Sequence, residues 1–589
     1  MKVHGPMALV LAALLATWCV GILGRGYWTP DEPREADIAW RMSWQGQKAV
    51  PLLAGEAFCE KPPLTYWLAA VPIRLIGAEA WSARLPNLLY ALIAALGVGA
   101  LARRSAGRVA GLAGVAAMGT FLLSYQVAIW LATDAPLLAA VSIALLGAYR
   151  GFYAGDTRER LRGYLLMHAA LGVGFLCKSA VAWMVPALAI LTLTVWEKRW
   201  RELLRWELYV GLILQAAMIG TWVWFVYVGS DGPKHLKVFF WNNLAGRFVR
   251  IDAPSDLQYA AAHRNTPGKY LLEMPLYLAP WTLLVIAAAR RAWRGRKTSF
   301  DDYRAVRFAV AASVPPLVLL SLAATARNVY FAPLLPGAAL LLAWWVREVL
   351  VSHDRWDTRA LRATAVLLLL GVAAFTAALG LVGAEDWHSL SSPTAFVMIS
   401  AAGLIAAAAL ALHAWRAAGD GLRRAQWSLL LAYCALLVGP ASQVYGRVDT
   451  WQDLASLARA MQHDAAGRPL MLFAPDETTR AVIDMYARTT VALIPGPIGP
   501  PSIGRLRSAV ATAPRSLIVV RIPGRADSVE SVLPWLPAAG LSVVKRYSLP
   551  NGRSYALLRA SQASMSAPAP MPAPTPVPTN SGAEQPSIQ

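Results

Sequence analysis

The sequence predicts a polytopic α-helical membrane protein with a small α/β domain near its C-terminal end. Of its 589 residues, 57% are hydrophobic and only 15% are charged, which is more apolar surface than one soluble core can bury. Apolar runs of about 17 to 23 residues, the length that crosses about 30 Å of hydrocarbon, recur up to Pro440. Beyond it, short β-branched runs alternate with Pro and Gly. Most of the chain is therefore expected to face lipid.

The apolar runs predict about thirteen membrane spans. The first, 7–24, has no small-x-small cleavage site after it, so we expect an uncleaved span rather than a signal peptide. The others lie near residues 84–102, 107–124, 131–150, 163–178, 180–196, 207–228, 271–289, 308–325, 329–346, 363–383, 395–413 and 426–441.

The basic residues predict which loops face the cytoplasm. Lys and Arg concentrate in every second loop, as is typical of cytoplasmic loops. This clustering explains the net charge of +21 as a topology signal and argues against nucleic-acid binding. With the N-terminus inside, the two long loops, 25–83 and 229–270, lie outside, and so does the C-terminus.

The same patterns predict three parts of the chain: a transmembrane domain over 1–441, an outward-facing α/β domain over 442–560, and a disordered tail over 561–589 rich in Pro, Ala and Ser. Within the α/β domain, strands are predicted at 470–473, 491–494, 516–522 and 541–547, and helices at 450–462 and 477–487.

Two adjacent acids, Asp31 and Glu32, lie at the start of the first outer loop, with Arg34 close behind. Carboxylates at the edge of hydrocarbon are costly unless they pair with a cation, a metal or a substrate, so they are candidates for a functional site. The competing interpretation is a helix start, in which both acids complement the positive end of the helix after Pro33. Spacing alone favours neither.

The same loop places Glu60 and Lys61 directly before two prolines that stiffen the chain. Lys61 is a compact charge suited to a phosphate, and Tyr66 and Trp67 are suited to lining a sugar. The alternative is simple anchoring of the loop at the membrane interface by its aromatic side chains.

Further polar residues are expected at the same membrane face. Asp134 lies at the outer end of the fourth span, and Arg327 and Tyr330 at that of the tenth. Asn242 and His263 belong to the second outer loop. Acids, cations and aromatic rings on one face form the arrangement needed to hold an anionic lipid-linked substrate.

Together these residues resemble the GT-C glycosyltransferases related to protein O-mannosyltransferases, and above all their ArnT-like branch. That branch transfers 4-amino-4-deoxy-L-arabinose from undecaprenyl phosphate to lipid A. The resemblance follows motif order over roughly residues 25–345. It implies a GT-C fold and an inverting transfer on the periplasmic face of a bacterial inner membrane, with an undecaprenyl-phosphate-linked sugar as donor and lipid A as acceptor.

The resemblance also implies roles for individual residues. It implies that Asp31, Asp134 and Glu32 are catalytic, and that the donor phosphate and the substrates are bound by Lys61, Arg34, Arg327, Tyr66, Tyr330 and Asn242. The resemblance further implies that Glu60 and His263 bind a divalent metal such as zinc, although zinc normally has three or four ligands. The sequence departs from the family pattern at two positions. Glu35 stands where an aromatic residue is common, and Asn328 stands where a basic residue is common. These departures leave the sugar and the acceptor open.

Other functions remain open at this point. A protein O-mannosyltransferase or a lipopolysaccharide-core glycosyltransferase would transfer to a hydroxyl and would need Asp31 or Asp134 as a base, whereas a lipid A phosphate is already ionised. Internal repeats would indicate a transporter or flippase, but the sequence shows none.

Overall fold

The computed structural model describes residues 4–46, 48–245, 265–266, 268–295, 303–323, 325–386, 392–487, 491–522 and 529–561. The chain forms two compact units, one of Met1–Ala455 with Glu477–Thr490 and the other of Ser456–Asp476 with Val491–Gln589. The division therefore falls after Ala455 instead of at the predicted residue 441. One segment of the predicted C-terminal domain also belongs to the first unit. The predicted disordered tail lies outside the described residues from 562 onward.

The first unit is helical, and each predicted apolar run falls largely within helical structure, although the run 271–289 is divided between two helices. The helices are α1 His4–Leu23, α2 Asp31–Trp44, α3 Leu64–Ile76, α4 Ala80–Thr120, α5 Leu122–Ile129, α6 Asp134–Phe152, α7 Thr157–Lys178, α8 Val181–Trp196, α9 Trp206–Tyr227, α10 Gly232–Lys237, α11 Lys269–Tyr277, α12 Thr282–Arg294, α13 Arg304–Leu322, α14 Leu335–Val351, α15 Arg355–Asp386, α16 Pro393–Ala417, α17 Leu422–Val438 and α18 Pro440–Trp451. A π-helical segment, Val238–Leu244, follows α10, and a 3-10 segment, Asn328–Leu334, precedes α14. Two further helices, α19 Leu454–Ala465 and α20 Glu477–Ala487, follow in the chain.

The long helix α4 is a hairpin and not one rod. Its backbone turns at Gly107, whose φ of 88° and ψ of −177° are not helical. Gly99 and Gly111 then face each other, because a Cβ added to either would lie 3.1 or 3.2 Å from the carbonyl oxygen of the other. Glycine is needed at the turn since a side chain disfavours that positive φ. The two halves of α4 correspond to the predicted spans 84–102 and 107–124.

The number of spans stays a prediction. Within the described ranges, nine helices are long and apolar enough to cross a membrane, or ten if α11 and α12, bent by 110°, form one broken span. That count takes the α4 hairpin once and leaves out the shorter apolar helices α3 and α8. The chain is thus a multi-pass membrane protein.

The first outer loop folds into α2 and α3, with the two-stranded antiparallel hairpin of β1 Leu52–Leu53 and β2 Glu56–Ala57 between them. Residues 35–43 and 64–76 form short amphipathic patterns in the sequence, and α2 and α3 cover them. Small side chains such as Ala36, Ala39 and Ala69 are buried where the two helices pack. This compact loop carries most of the predicted site residues.

The second unit contains a five-stranded sheet in the order β4-β3-β5-β7-β6. Its strands are β3 Leu470–Phe473, β4 Ala492–Ile494, β5 Leu517–Ile522, β6 Leu541–Ser548 and β7 Ser554–Ala560. β3 pairs in parallel with β4 and β5, whereas β7 pairs antiparallel with β5 and β6. The predicted strands are confirmed within a residue or two. β7, which the sequence pattern does not predict, has Ala or Leu at four of its seven positions and gains its strand conformation from its two neighbours.

Candidate functional site

A buried ion cluster holds the start of α2. The Glu32 carboxylate is fully buried and contacts the guanidinium groups of Arg25 and Arg84 at 2.5 to 3.0 Å. The backbone N–H groups of Trp28 and Leu131 also donate to it, each at 2.8 Å. Burial alone would raise the pKa of Glu32, but the charges of Arg84 and Arg25 outweigh it and lower the pKa to about 2.

These contacts do not fit the catalytic role predicted for Glu32. Both of its oxygens are engaged and none of its side-chain surface is exposed, so it has no route to a substrate. Glu32 instead ties together the chain after α1, the start of α2 and the start of α4.

Asp31, the first residue of α2, lies beside cations from three separate parts of the chain. The Arg327 guanidinium donates a hydrogen bond to Oδ2, and Nη1 of Arg34 lies 3.8 Å from Oδ1. Burial raises the pKa of Asp31, but the charges of Arg327 and Lys61 outweigh it, and the pKa lies below its usual range. Asp31 is therefore ionised at neutral pH.

Arg34 has three carboxylates around its guanidinium group. Nε lies 2.8 Å from Glu477, while Nη1 and Nη2 lie 3.8 Å from Asp31 and Glu60 respectively. Burial would lower the pKa of Arg34, but Glu477 and Glu60 outweigh it and raise the pKa. Arg34 thus keeps its charge in a largely buried position at the centre of the site.

Lys61 is paired with Glu35, one turn along α2 from Asp31. Burial by itself would lower the pKa of Lys61, but the Glu35 carboxylate outweighs it and raises the pKa. Tyr66 is fully buried nearby, and burial together with the Glu35 charge raises its pKa well above the usual value. The departure at Glu35 from the expected aromatic residue therefore supplies the counter-ion of Lys61.

Asp134, the first residue of α6, is paired with Lys178, the last residue of α7. The Lys178 ammonium also lies 5.4 Å from the centroid of the Tyr330 ring. Arg327, three residues before Tyr330, is close enough to Asp134 for their charges to interact. Asp134 and Tyr330 therefore belong to the same cluster as Asp31, as the sequence predicted.

The second outer loop is described only in part. Asn243 is buried and donates a hydrogen bond to the backbone carbonyl of Glu60, whereas the predicted Asn242 is its partly exposed neighbour. His263 lies outside the described residues. Glu60 contacts Arg34, and the described part of the chain contains no group of three or more His, Cys, Asp or Glu side chains suited to a metal. The residues described do not by themselves form a metal site.

Lys178 and Glu477 belong to this site but are absent from the residues predicted for it from the sequence. Lys178 carried a usable signal, because it is a lone charge that ends an apolar run on the predicted outer side. Glu477 carried none, since it lies in the predicted C-terminal domain, far along the chain from Arg34.

The cluster combines four cations, Arg34, Lys61, Lys178 and Arg327, with the carboxylates Asp31, Glu35, Glu60 and Asp134. The carboxylates keep the cations ionised despite burial. Arg and Lys groups form strong charge-assisted hydrogen bonds with phosphate, and an Arg can contact it through two parallel N–H groups. The arrangement can therefore bind one or more phosphate groups beside the ionised Asp31.

Comparisons with known proteins identify relatives. Residues 60–225 match the family of dolichyl-phosphate-mannose-protein mannosyltransferases. The undecaprenyl phosphate-alpha-4-amino-4-deoxy-L-arabinose arabinosyl transferase of Pectobacterium carotovorum is 30% identical over 470 residues, which are 75% of this chain and 77% of that protein. The protein of the same name from Edwardsiella ictaluri is 28% identical, over 64% of this chain and 65% of its own length.

A solved structure shares the fold. ArnT from Cupriavidus metallidurans, crystallised with undecaprenyl phosphate, superposes with a TM-score of 0.69 at 19% sequence identity. The match covers 93% of this chain and 97% of that one. The predicted GT-C fold is thereby confirmed.

Proposed function

The chain belongs to the family of undecaprenyl phosphate-alpha-4-amino-4-deoxy-L-arabinose arabinosyl transferases, and from that premise we propose that it transfers aminoarabinose from undecaprenyl phosphate to a phosphate group of lipid A. It is a multi-pass membrane glycosyltransferase. In this proposal the site faces the periplasm of a bacterial inner membrane, in agreement with the basic loops on the opposite side.

One observation carries the proposal. Asp31, Lys61 and Arg327 are far apart in the sequence, yet their charges act on one another in a single cluster at the outer loop. A site that gathers several ionised cations around the ionised Asp31, with further carboxylates as their counter-ions, suits a reaction between two phosphate-bearing lipids. A transporter would need its charges near the middle of the membrane.

Lys61, Arg34 and Arg327 would bind the donor phosphate. In the free protein each contacts a carboxylate, so the incoming phosphate exchanges one anion for another and the cations are never left bare. Positive charge held at this place also stabilises the phosphate as it leaves, because its negative charge grows as the glycosidic bond breaks.

In the chemical step, the bond between the anomeric carbon and the donor phosphate oxygen breaks, and the electron pair leaves with undecaprenyl phosphate. An oxygen of the lipid A phosphate attacks the opposite face of that carbon, forms the new bond and inverts the configuration. No proton has to be removed from an ionised phosphate. Asp31 then acts through its negative charge, which stabilises the positive charge that develops on the sugar ring.

Mass spectrometry of lipid A tests the function. We expect lipid A from a deletion strain to lack an aminoarabinose increment, which the wild-type gene restores and the Asp31→Asn variant does not. An unchanged lipid A mass in the deletion strain contradicts the proposal. Loss of protein glycosylation in that strain would instead identify a protein O-mannosyltransferase.

The divalent metal stays a prediction. Of its two proposed ligands, Glu60 contacts Arg34 and His263 lies outside the described residues, so no step above depends on a metal. Elemental analysis of the purified protein and of a His263→Ala variant tests it. A bound metal in the wild type that the variant lacks would support it, and a wild type purified without metal would count against it.

A further inference from the structure

Helix α20 lies between β3 and β4 in the sequence but packs on the helical unit. Its Asp484 forms a buried ion pair with Arg41 of α2, and Thr478 donates a hydrogen bond to the carbonyl of Pro30 at 3.1 Å, across 448 residues of chain. Ala481 is buried in the same cluster as Ile38. A segment from the C-terminal region therefore forms a wall of the first outer loop.

The first residue of this helix reaches the site. A carboxylate oxygen of Glu477 lies 2.8 Å from Nε of Arg34, which is the shortest of the three carboxylate contacts of that guanidinium group. The Glu477 side chain is 55% exposed, whereas those of Asp31 and Glu60 are 19% and 18% exposed. Glu477 thus approaches Arg34 from the open side of the cluster.

We propose that Glu477 is a positioning residue for the donor phosphate, acting through Arg34. By pairing with Nε it holds the guanidinium group so that Nη1 and Nη2, each 3.8 Å from a carboxylate, can form the two-pronged contact that Arg makes with phosphate. This inference rests on the proposed function, because it assumes that Arg34 binds the phosphate of undecaprenyl phosphate.

The geometry explains why such a residue is needed. Without Glu477, the guanidinium group would be attracted only to Asp31 and Glu60, each now 3.8 Å away, and could close onto either of them. Both Nη atoms would then be occupied by carboxylates and turned away from the phosphate. Misplacement of a binding group by about 1 Å is enough to weaken a reaction many-fold.

The test uses the full-length enzyme in detergent with undecaprenyl-phosphate-linked aminoarabinose and lipid A. We expect Glu477→Ala to raise the KM for the donor roughly three- to ten-fold, given the exposure of the pair, and to leave the KM for lipid A unchanged. Glu477→Gln keeps the size of the side chain and its oxygen near Nε but removes the negative charge, and it is expected to lie between Glu477→Ala and the wild type.

Two variants of contacts made by the same helix serve as controls. Glu56→Gln removes the ion pair between the exposed Glu56 and Arg480 on α20, and it is expected to match the wild type. Asp484→Asn breaks the buried pair with Arg41 and is expected to lower the amount of active enzyme without changing the KM for the donor. If Glu477 had a merely structural role, Glu477→Ala would likewise lower the amount of active enzyme and leave the KM for the donor unchanged.

A double-mutant cycle identifies the route of the effect. If Glu477 acts through Arg34, adding Glu477→Ala to Arg34→Ala changes the KM for the donor no further. An additive effect, or a wild-type KM in Glu477→Ala, overturns the inference. If the wild-type enzyme transfers no aminoarabinose, the proposed function fails, and the affinity for undecaprenyl phosphate itself decides the inference: equal affinity in the wild type and Glu477→Ala refutes it.

Discussion

Replacement of Glu32 by Gln is expected to destabilise the protein by about 3 kcal/mol. The pKa of Glu32 falls from 4.5 to about 2 in the fold, which corresponds to about 3 kcal/mol of stabilisation. Removal of one partner from a buried ion pair in other proteins costs a similar amount, about 3 to 5 kcal/mol, because the remaining charge stays buried without compensation. Here the remaining charges are those of Arg25 and Arg84.

The sign of the pH dependence follows from the lowered pKa. The folded protein holds the Glu32 proton more weakly than the unfolded chain does, so this stabilisation is fully present above about pH 4.5 and is lost as the pH falls towards about 2. Wild-type protein should lose stability in that window, and Glu32→Gln should lose less.

Thermal unfolding in detergent, measured beside sugar transfer, separates structure from chemistry. Glu32→Gln should melt well below the wild type and lose activity in proportion to its folded fraction. Asp31→Asn is the matched control: it should melt near the wild type, since Arg327 is exposed enough to be hydrated, and yet be inactive. A Glu32→Gln protein that melts like the wild type but transfers no sugar would refute the structural role and restore the catalytic one.

Further predictions concern neighbouring groups. Asp31→Asn should lower kcat about 100-fold or more in a transfer assay, because its charge faces the reacting sugar; a loss below ten-fold would contradict that role. Lys178→Met should destabilise the protein by about 1 to 3 kcal/mol by leaving Asp134 unpaired, and adding Asp134→Asn should restore its melting temperature. Burial raises the pKa of Asp37 from 3.8 to about 6, so stability should fall as pH rises from about 4 to 6, and Asp37→Asn should abolish that slope.

Much of the site could be predicted because its residues break a strong pattern. Asp134 and Arg327 are charges at the ends of apolar runs, and Asp31 and Lys61 lie in a long loop on the side opposite the basic clusters. In a membrane protein each such charge needs a partner or a function, which makes it visible without a structure. Lys178 obeyed the same rule and could have been found.

Other features had no local signal. The separate roles of Asp31 and Glu32 depend on Arg25 and Arg84, which surround only the second acid. The sequence pattern treats the two neighbours alike, although they lie in very different environments.

The sequence by itself determined the membrane class, the order of the helices, the long loop after the first helix and most of the charges that form the site, because hydrophobic length and charge placement are local properties. It also determined that a helix begins at Glu477. Only the tertiary structure decided what that helix touches, which acid is buried, and which carboxylate pairs with each cation. These choices depend on contacts between segments hundreds of residues apart, and the ion pairs form only after packing has removed water from around them.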